Sequence, residues 1–275
     1  DSWARNVPAK IEEHAADFYA AYSGRYPNFI SLDRIDWTAS NPGAIGAFAS
    51  LRGKKSAWRY VQEYNGWMSN AVGWDKPQYY ETIQVAPADD ALHLVARGTK
   101  GVDVYCWKMD KGLSSLPSLP AFSDANGWNK PQYYRTIRAV VGGGRLHILG
   151  RHPEGIRIHH WDPAGNTWSD SGPRGFSDGE GWDKPEYYET IQAVAAGKPL
   201  DLVGWSLYVT GRGAEGLFAT RLDARAGWST LPSLPAFSDA NGWNQHARYQ
   251  TLQSVTVGDN LYVIGCSANG LTGYG

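Results

Sequence analysis

The chain has 275 residues and carries 26 Lys and Arg against 27 Asp and Glu, a formal net charge of −1. That balance excludes a basic stripe for nucleic acid, and no apolar run reaches the length that membrane insertion needs. Thirteen Trp, sixteen Tyr and thirty-two Gly call for many short strands, tight turns and flat side chains for packing or stacking.

In chain order, residues 3–8 read as a strand bearing Trp3 and ending at Pro8. Residues 9–24 read as a helix, with Pro8 at its start, Gly24 at its end, and Ile11, Ala15, Phe18 and Tyr22 on one face. Residues 27–72 form a diverged first repeat, opening on Pro27-Asn28-Phe29-Ile30 and holding strands over 45–50 and 56–63.

The repeats then become plain. GWDKPQYYETIQV starts at Gly73, GWNKPQYYRTIRAV at Gly127, GWDKPEYYETIQAV at Gly181, and a version without Lys-Pro, GWNQHARYQTLQSV, at Gly242. A unit of about 54 residues holding four period-two runs separated by Gly, Asp, Asn and Pro is a propeller blade. The second repeat (73–126) predicts strands over 79–85, 92–97 and 102–107 and a weak fourth run before Leu116. The third (127–180) predicts 133–140, 146–151, 156–161 and a run at Trp168. The fourth (181–241) predicts 187–194, 207–212, 217–222 and 228–231. The fifth (242–275) supplies 249–255, 261–266 and a third run begun at Gly270. Trp3 to Pro8 matches Trp228 to Pro232 and is expected to complete this last sheet, removing open edges. The expected fold is all-β: one five-bladed β-propeller of four-stranded antiparallel blades, closed by pairing of the N- and C-terminal strands, with one short helix.

Each repeated core has a structural and a functional reading. Gly-Trp turns the chain, Pro fixes φ, and the aromatic residues pack between blades. Alternatively, an aromatic face stacks on a sugar ring while polar neighbours bind its hydroxyls. The candidate ligand-binding residues are Trp74, Asp75, Lys76, Tyr79 and Tyr80 in the second repeat and Trp128, Asn129, Lys130, Tyr133 and Tyr134 in the third. Trp182, Asp183, Lys184, Tyr187 and Tyr188 follow in the fourth, and Trp243, Asn244 and Tyr249 in the fifth. Arg97, Arg151 and Arg212 end the second strand of three repeats and suit either a ligand carboxylate or sugar hydroxyls, or a bond to the next blade. The loops SDANGWN (from Ser123 and Ser238) and SDGEGWD (from Ser177) carry oxygens in an order reminiscent of calcium turns. They lack the later bidentate Glu, and Asx-turns explain the same residues, so no cofactor or metal is expected. His147, His159 and His160 share one repeat, but His159 and His160 point to opposite faces of a strand. Cys106 and Cys266 read as small buried apolar residues on non-adjacent blades. The absence of Met at Asp1 reads as a removed signal peptide or tag, so a secreted, extracellular protein is expected.

The Gly-Trp-[Asp/Asn]-Lys-Pro-x-Tyr-Tyr repeats, one per blade, resemble the five-bladed tachylectin-2-like lectins and, more loosely, six- and seven-bladed fungal and bacterial lectins. The likeness lies in repeat logic, blade number and aromatic loops. It implies glycan partners bound at several equivalent sites without catalysis, where multivalency converts weak pockets into avidity. Two other classes stay open. A propeller glycosidase needs carboxylates converging on the central channel, for which Asp33, Asp36, Glu81 and Glu189 are candidates. A protein-interaction scaffold needs only a broad rim.

Overall fold

The computed structural model describes residues 73–275, except 89–90, 109–110, 173–174 and 198–203, together with two strand pieces near residue 50. The chain divides into two compact units, Asp1–Gly73 and Trp74–Gly275. In the first, β1 (Phe48–Ala49) pairs antiparallel with β2 (Trp58–Arg59), inside the two strands expected there. The expected 3–8 strand, the 9–24 helix and the closure of the ring lie outside the described residues.

The second unit is a succession of antiparallel meanders, each in strict chain order. The second repeat gives β3 (Gln84–Pro87), β4 (Ala91–Gly98), β5 (Gly101–Lys108) and β6 (Gly112–Ser115). The third gives β7 (Arg138–Gly142), β8 (Arg145–His152), β9 (Gly155–Asp162) and β10 (Thr167–Ser171). The fourth gives β11 (Gln192–Ala196), β12 (Ser206–Gly213), β13 (Gly216–Asp223) and β14 (Gly227–Thr230). The fifth is three-stranded, with β15 (Gln253–Val257), β16 (Asn260–Ser267) and β17 (Gly270–Tyr274). First strands of successive sheets lie side by side, β3 with β7, β7 with β11 and β11 with β15. Repeated meanders joined edge to centre and packed face to face are the arrangement of a β-propeller.

In the second to fifth repeats the first strand begins later than the sequence pattern suggests. Each Pro-x-Tyr-Tyr segment is a single helical turn instead: α1 (Pro77–Tyr80), α2 (Pro131–Tyr134) and α3 (Pro185–Tyr188), with His246–Tyr249 forming α4. The cause is local. Pro occupies the first helical position, where its missing N–H costs nothing and its fixed φ suits the turn. The motif Thr then locks the turn in place: Thr82 Oγ1 donates to the Tyr79 carbonyl at 2.6 Å and accepts from the Arg97 backbone N–H at 2.8 Å. Thr136 and Thr190 repeat both bonds.

Two further devices join the sheets. The Gln84 side chain donates to the Ile137 carbonyl and accepts from the Ala139 N–H at 2.9 Å, so it acts as a ladder rung between sheets. Gln192 does the same to Leu252 and Ser254, at 2.5 and 2.6 Å. The motif Trp is the keystone of the later junctions, at Trp128, Trp182 and Trp243. Trp128 is buried edge-to-face against Phe122 at 4.3 Å, and a Cβ on Gly150 would stand 2.5 Å from its ring. Only glycine admits that approach, and Gly211 under Trp182 and Gly265 under Trp243 repeat it. Cys106 is buried as expected, whereas Cys266 is exposed. It stands at the strand position that the buried Arg97, Arg151 and Arg212 occupy in the preceding repeats.

Candidate functional site

The candidate residues separate into a buried set and an exposed set. Trp128, Trp182 and Trp243 are buried, as are Tyr79, Tyr133, Tyr134, Tyr187, Tyr188 and Tyr249. Trp74 is partly buried, and Tyr80 is 48% exposed. The buried rings serve the junctions, and of them Trp182 and Tyr187 also line the cavity described below. Asp75, Lys76, Asn129, Lys130, Asp183, Lys184 and Asn244 are exposed. Lys130 Nζ and Lys184 Nζ lie 5.8 and 5.5 Å from the ring centroids of Tyr133 and Tyr187, a cation–π distance.

Arg97, Arg151 and Arg212 are fully buried. Arg97 Nε donates to the Phe122 carbonyl at 2.8 Å, Nη1 donates to the Gln78 carbonyl at 3.0 Å, and Nη2 pairs with Asp124. Tyr79 OH donates to the other oxygen of Asp124 at 2.8 Å, and the guanidinium lies 5.4 Å from the Tyr79 ring centroid. Tyr133, Arg151 and Asp178 repeat the triplet, as do Tyr187, Arg212 and Asp239. Burial, and then the Asp178 carboxylate, push the Tyr133 hydroxyl up to about 12. The acidic residues that suggested a calcium turn are therefore engaged by protein donors. Glu180 likewise accepts from the Ser177 N–H at 3.0 Å and its hydroxyl at 3.1 Å.

At the motif turns, Arg135 Nε donates to Glu81 at 2.8 Å and its Nη1 to Glu189 at 3.1 Å. One guanidinium thus ties the two described channel-side carboxylates proposed for hydrolysis, across three repeats. Asp33 and Asp36 lie outside the described residues.

A larger feature was not singled out by the motif. Between the linker 175–182 and the face of the fourth sheet lies a cavity of about 530 Å³. Phe176, Trp182 and Phe218 form its aromatic wall, and Glu180, Glu215 and Thr230 add polar groups. Thr220 Oγ1 also lines it, buried and without a hydrogen-bond partner among the described residues. The repeats explain why it is open. In the third repeat the matching positions are His152, stacked on Trp128 at 5.7 Å, and His159, edge-on to Phe122 at 5.3 Å. In the fifth, Tyr274 packs on Phe237 at 5.6 Å in the His159 position. The fourth repeat has Gly213, over which the Phe218 ring lies against Trp182, and Thr220, whose short side chain leaves the second ring position open. Aligning the repeats at these two positions would have located it.

No protein-family model matches the chain, and no curated protein does. Among solved structures, a triple arginine-to-alanine mutant of AofleA from Arthrobotrys oligospora is 14% identical with a TM-score of 0.41, over 69% of this chain and 52% of that one. A thermostable family-43 glycoside hydrolase is 10% identical with a TM-score of 0.35, over 66% of this chain and 62% of that one. The chain thus spans less than two thirds of either, and at these scores neither likeness assigns it an activity.

Proposed function

We propose that the protein is a carbohydrate-binding propeller, a lectin, whose principal sugar site is the cavity of the fourth repeat. The observation that carries this reading is the pairing of aromatic walls with Glu180, Glu215 and the unpartnered Thr220 hydroxyl in one opening of about 530 Å³. A pyranose offers an apolar C–H face to rings and hydroxyls to carboxylates, and the volume lies in the ordinary range for small ligands. Among the described residues the lining carries two carboxylates and no cation, which favours neutral or amino sugars over acidic ones. The exposed pairs Asp75-Lys76, Asn129-Lys130 and Asp183-Lys184 are proposed as secondary contacts that add valency. Binding without turnover is supported by the Arg135 clamp, which engages Glu81 and Glu189 with a cation. Five blades, closed by residues 3–8 along β17, complete the proposal. Its support is that, among the described residues, the last sheet has three strands where the three preceding sheets have four. A glycan array, followed by analysis of each bound glycan for cleavage, tests the function. Retention of intact neutral glycans is expected; product release would make the protein a hydrolase.

A further inference from the structure

In the third, fourth and fifth repeats the linker Phe and the motif Trp build the same aromatic wall. Phe122 meets Trp128 at 4.3 Å, Phe176 meets Trp182 at 4.5 Å, and Phe237 meets Trp243 at 4.7 Å. A further ring covers the Trp in two of them, His152 on Trp128 at 5.7 Å and Phe218 on Trp182 at 6.0 Å. What separates these repeats is one position on the third strand. Tyr274 fills it in the fifth, packed on Phe237 at 5.6 Å, and His159 fills it in the third, edge-on to Phe122 at 5.3 Å. In the fourth, Thr220 leaves it open. With the His159 ring turned aside, the third repeat reproduces the fourth.

Unlike Tyr274, His159 has a second place to go. It pairs directly with Asp170 across β9 and β10, so the two side chains leave the same face of the sheet side by side. Held inward, the ring is 8% exposed and its Nε2 is buried without a hydrogen-bond partner among the described residues. An imidazolium in that place would bury a charge and strand an N–H donor. Asp170 is exposed and offers the protonated ring an ion-pair partner at the outer edge. Two charged groups act on His159: Asp170 from β10, and Arg157 from its own strand, itself paired with Glu154 at 2.9 Å. From β8 the facing residue is Ile148 and from the linker it is Phe122, and neither titrates. His160, the next residue, points to the opposite face. Burial lowers the His159 pKa, Asp170 offsets part of this and Arg157 adds to it, so the proton is taken up below pH 6.5.

We propose that the third repeat carries a second, latent copy of the sugar site, closed by the neutral His159 ring and opened when that ring takes a proton and turns out to Asp170. Its ligand, a neutral pyranose, rests on the sugar reading of the fourth-repeat cavity, whereas the switch rests on the third repeat alone. A chain so built holds one such cavity at neutral pH and two in mild acid, and gains valency with the second.

The probe is the methyl glycoside of the neutral monosaccharide that a glycan array retains. Calorimetry counts it at pH 7.5 and at pH 5, both above the range near 4 in which His147 and His160 titrate. The wild type is expected to bind one per chain at pH 7.5 and two at pH 5, and Thr220→Tyr none and then one. His159→Thr, which copies the fourth repeat, is expected to bind two at both pH values. His159→Tyr, which copies the fifth, is expected to bind one at both. Proton NMR reads the switch without sugar: the contact between the His159 and Phe122 rings is expected at pH 7.5 and is lost at pH 5. A wild type that binds one glycoside at both pH values, or a His159 ring that keeps its Phe122 contact at pH 5, would overturn the latent site and leave the fourth-repeat site standing. No glycoside bound by the wild type or by His159→Thr at either pH would overturn both together.

Discussion

The Tyr79 hydroxyl and the Asp124 carboxylate meet at 2.8 Å although 45 residues separate them, and the second oxygen of Asp124 pairs with the buried Arg97. This contact carries one sheet across to the linker of the next. Its parts recur with constant spacing, Arg97 to Asp124, Arg151 to Asp178 and Arg212 to Asp239.

The first prediction follows from that burial. Asp124→Ala leaves a guanidinium in the core without its counter-charge, and burial already lowers the Arg97 pKa. Breaking such a pair typically costs about 3–5 kcal/mol. Urea unfolding is expected to show a loss of that size, and a loss under about 1 kcal/mol would mean that the pair is a surface contact. The double change Arg97→Met with Asp124→Leu is expected to be milder than Asp124→Ala alone, since neither charge is then stranded.

This triplet also shows how far the sequence was legible. The four repeats and nearly all second and third strands follow from period-two patterns, because the strands bury one face at a time. The helical turns at Pro77, Pro131 and Pro185 were read as strand because Tyr-Tyr and Thr favour sheets. The signal against it was Lys-Pro, a helix start. The arginines allowed two readings, and the deciding clue was the matching Asp, 27 residues on in all three repeats. The cavity was harder to see. It arises from a side chain that is missing, and a motif records only what is shared.

A second prediction separates structure from surface within one motif. Trp128→Ala removes the ring packed over Gly150 and Phe122 and is expected to cost about 3–5 kcal/mol. Lys130→Ala, two residues later and exposed, is expected to change stability by less than about 0.5 kcal/mol. Parallel melting curves of the two variants check this directly.

The third prediction concerns acid. The Gly142 carbonyl only accepts, so His147 Nε2 donates to it at 2.9 Å and His147 Nδ1 is left as the acceptor. His160 Nδ1 must then donate across 2.5 Å, leaving His160 Nε2 to accept from the Ser171 hydroxyl. An added proton would fall on His160 Nε2, where the Ser171 hydroxyl must turn from donor to acceptor. Burial lowers both imidazoles to about 4, and Coulomb repulsion from His147 and Arg145 adds to the effect at His160. The unfolded chain gains these protons near pH 6.5 and the folded chain does not. Stability should therefore be full above pH 6.5, fall as pH drops towards about 4, and level off below. The contribution of the fully buried His147 is on the order of 3 kcal/mol. Unfolding free energies across this range, compared with those of His160→Gln, measure it; an identical acid slope in that variant would place the titration elsewhere.

The last prediction uses the repeats to close the sugar cavity with a residue that the fold already accepts. Thr220 sits on β13 where Tyr274 sits on β17, and Tyr274 packs on Phe237 as an incoming ring at 220 would pack on Phe176. Thr220→Tyr is therefore expected to fold, to cover the aromatic wall and to abolish binding of monovalent sugar in calorimetry. Glu215→Gln keeps the shape and one acceptor oxygen while removing the charge. It should weaken a neutral sugar by about 1–3 kcal/mol through the lost charge-assisted bond. The same change should relax the bias against acidic sugars, since a carboxylated ring no longer meets a second anion. Simultaneous replacement of Lys76, Lys130 and Lys184 by Ala should leave the monovalent affinity near that of the wild type while reducing agglutination, if those loops add only valency. A Thr220→Tyr protein that melts like the wild type and still binds monovalent sugar would place the sugar site in the exposed loops instead of the cavity.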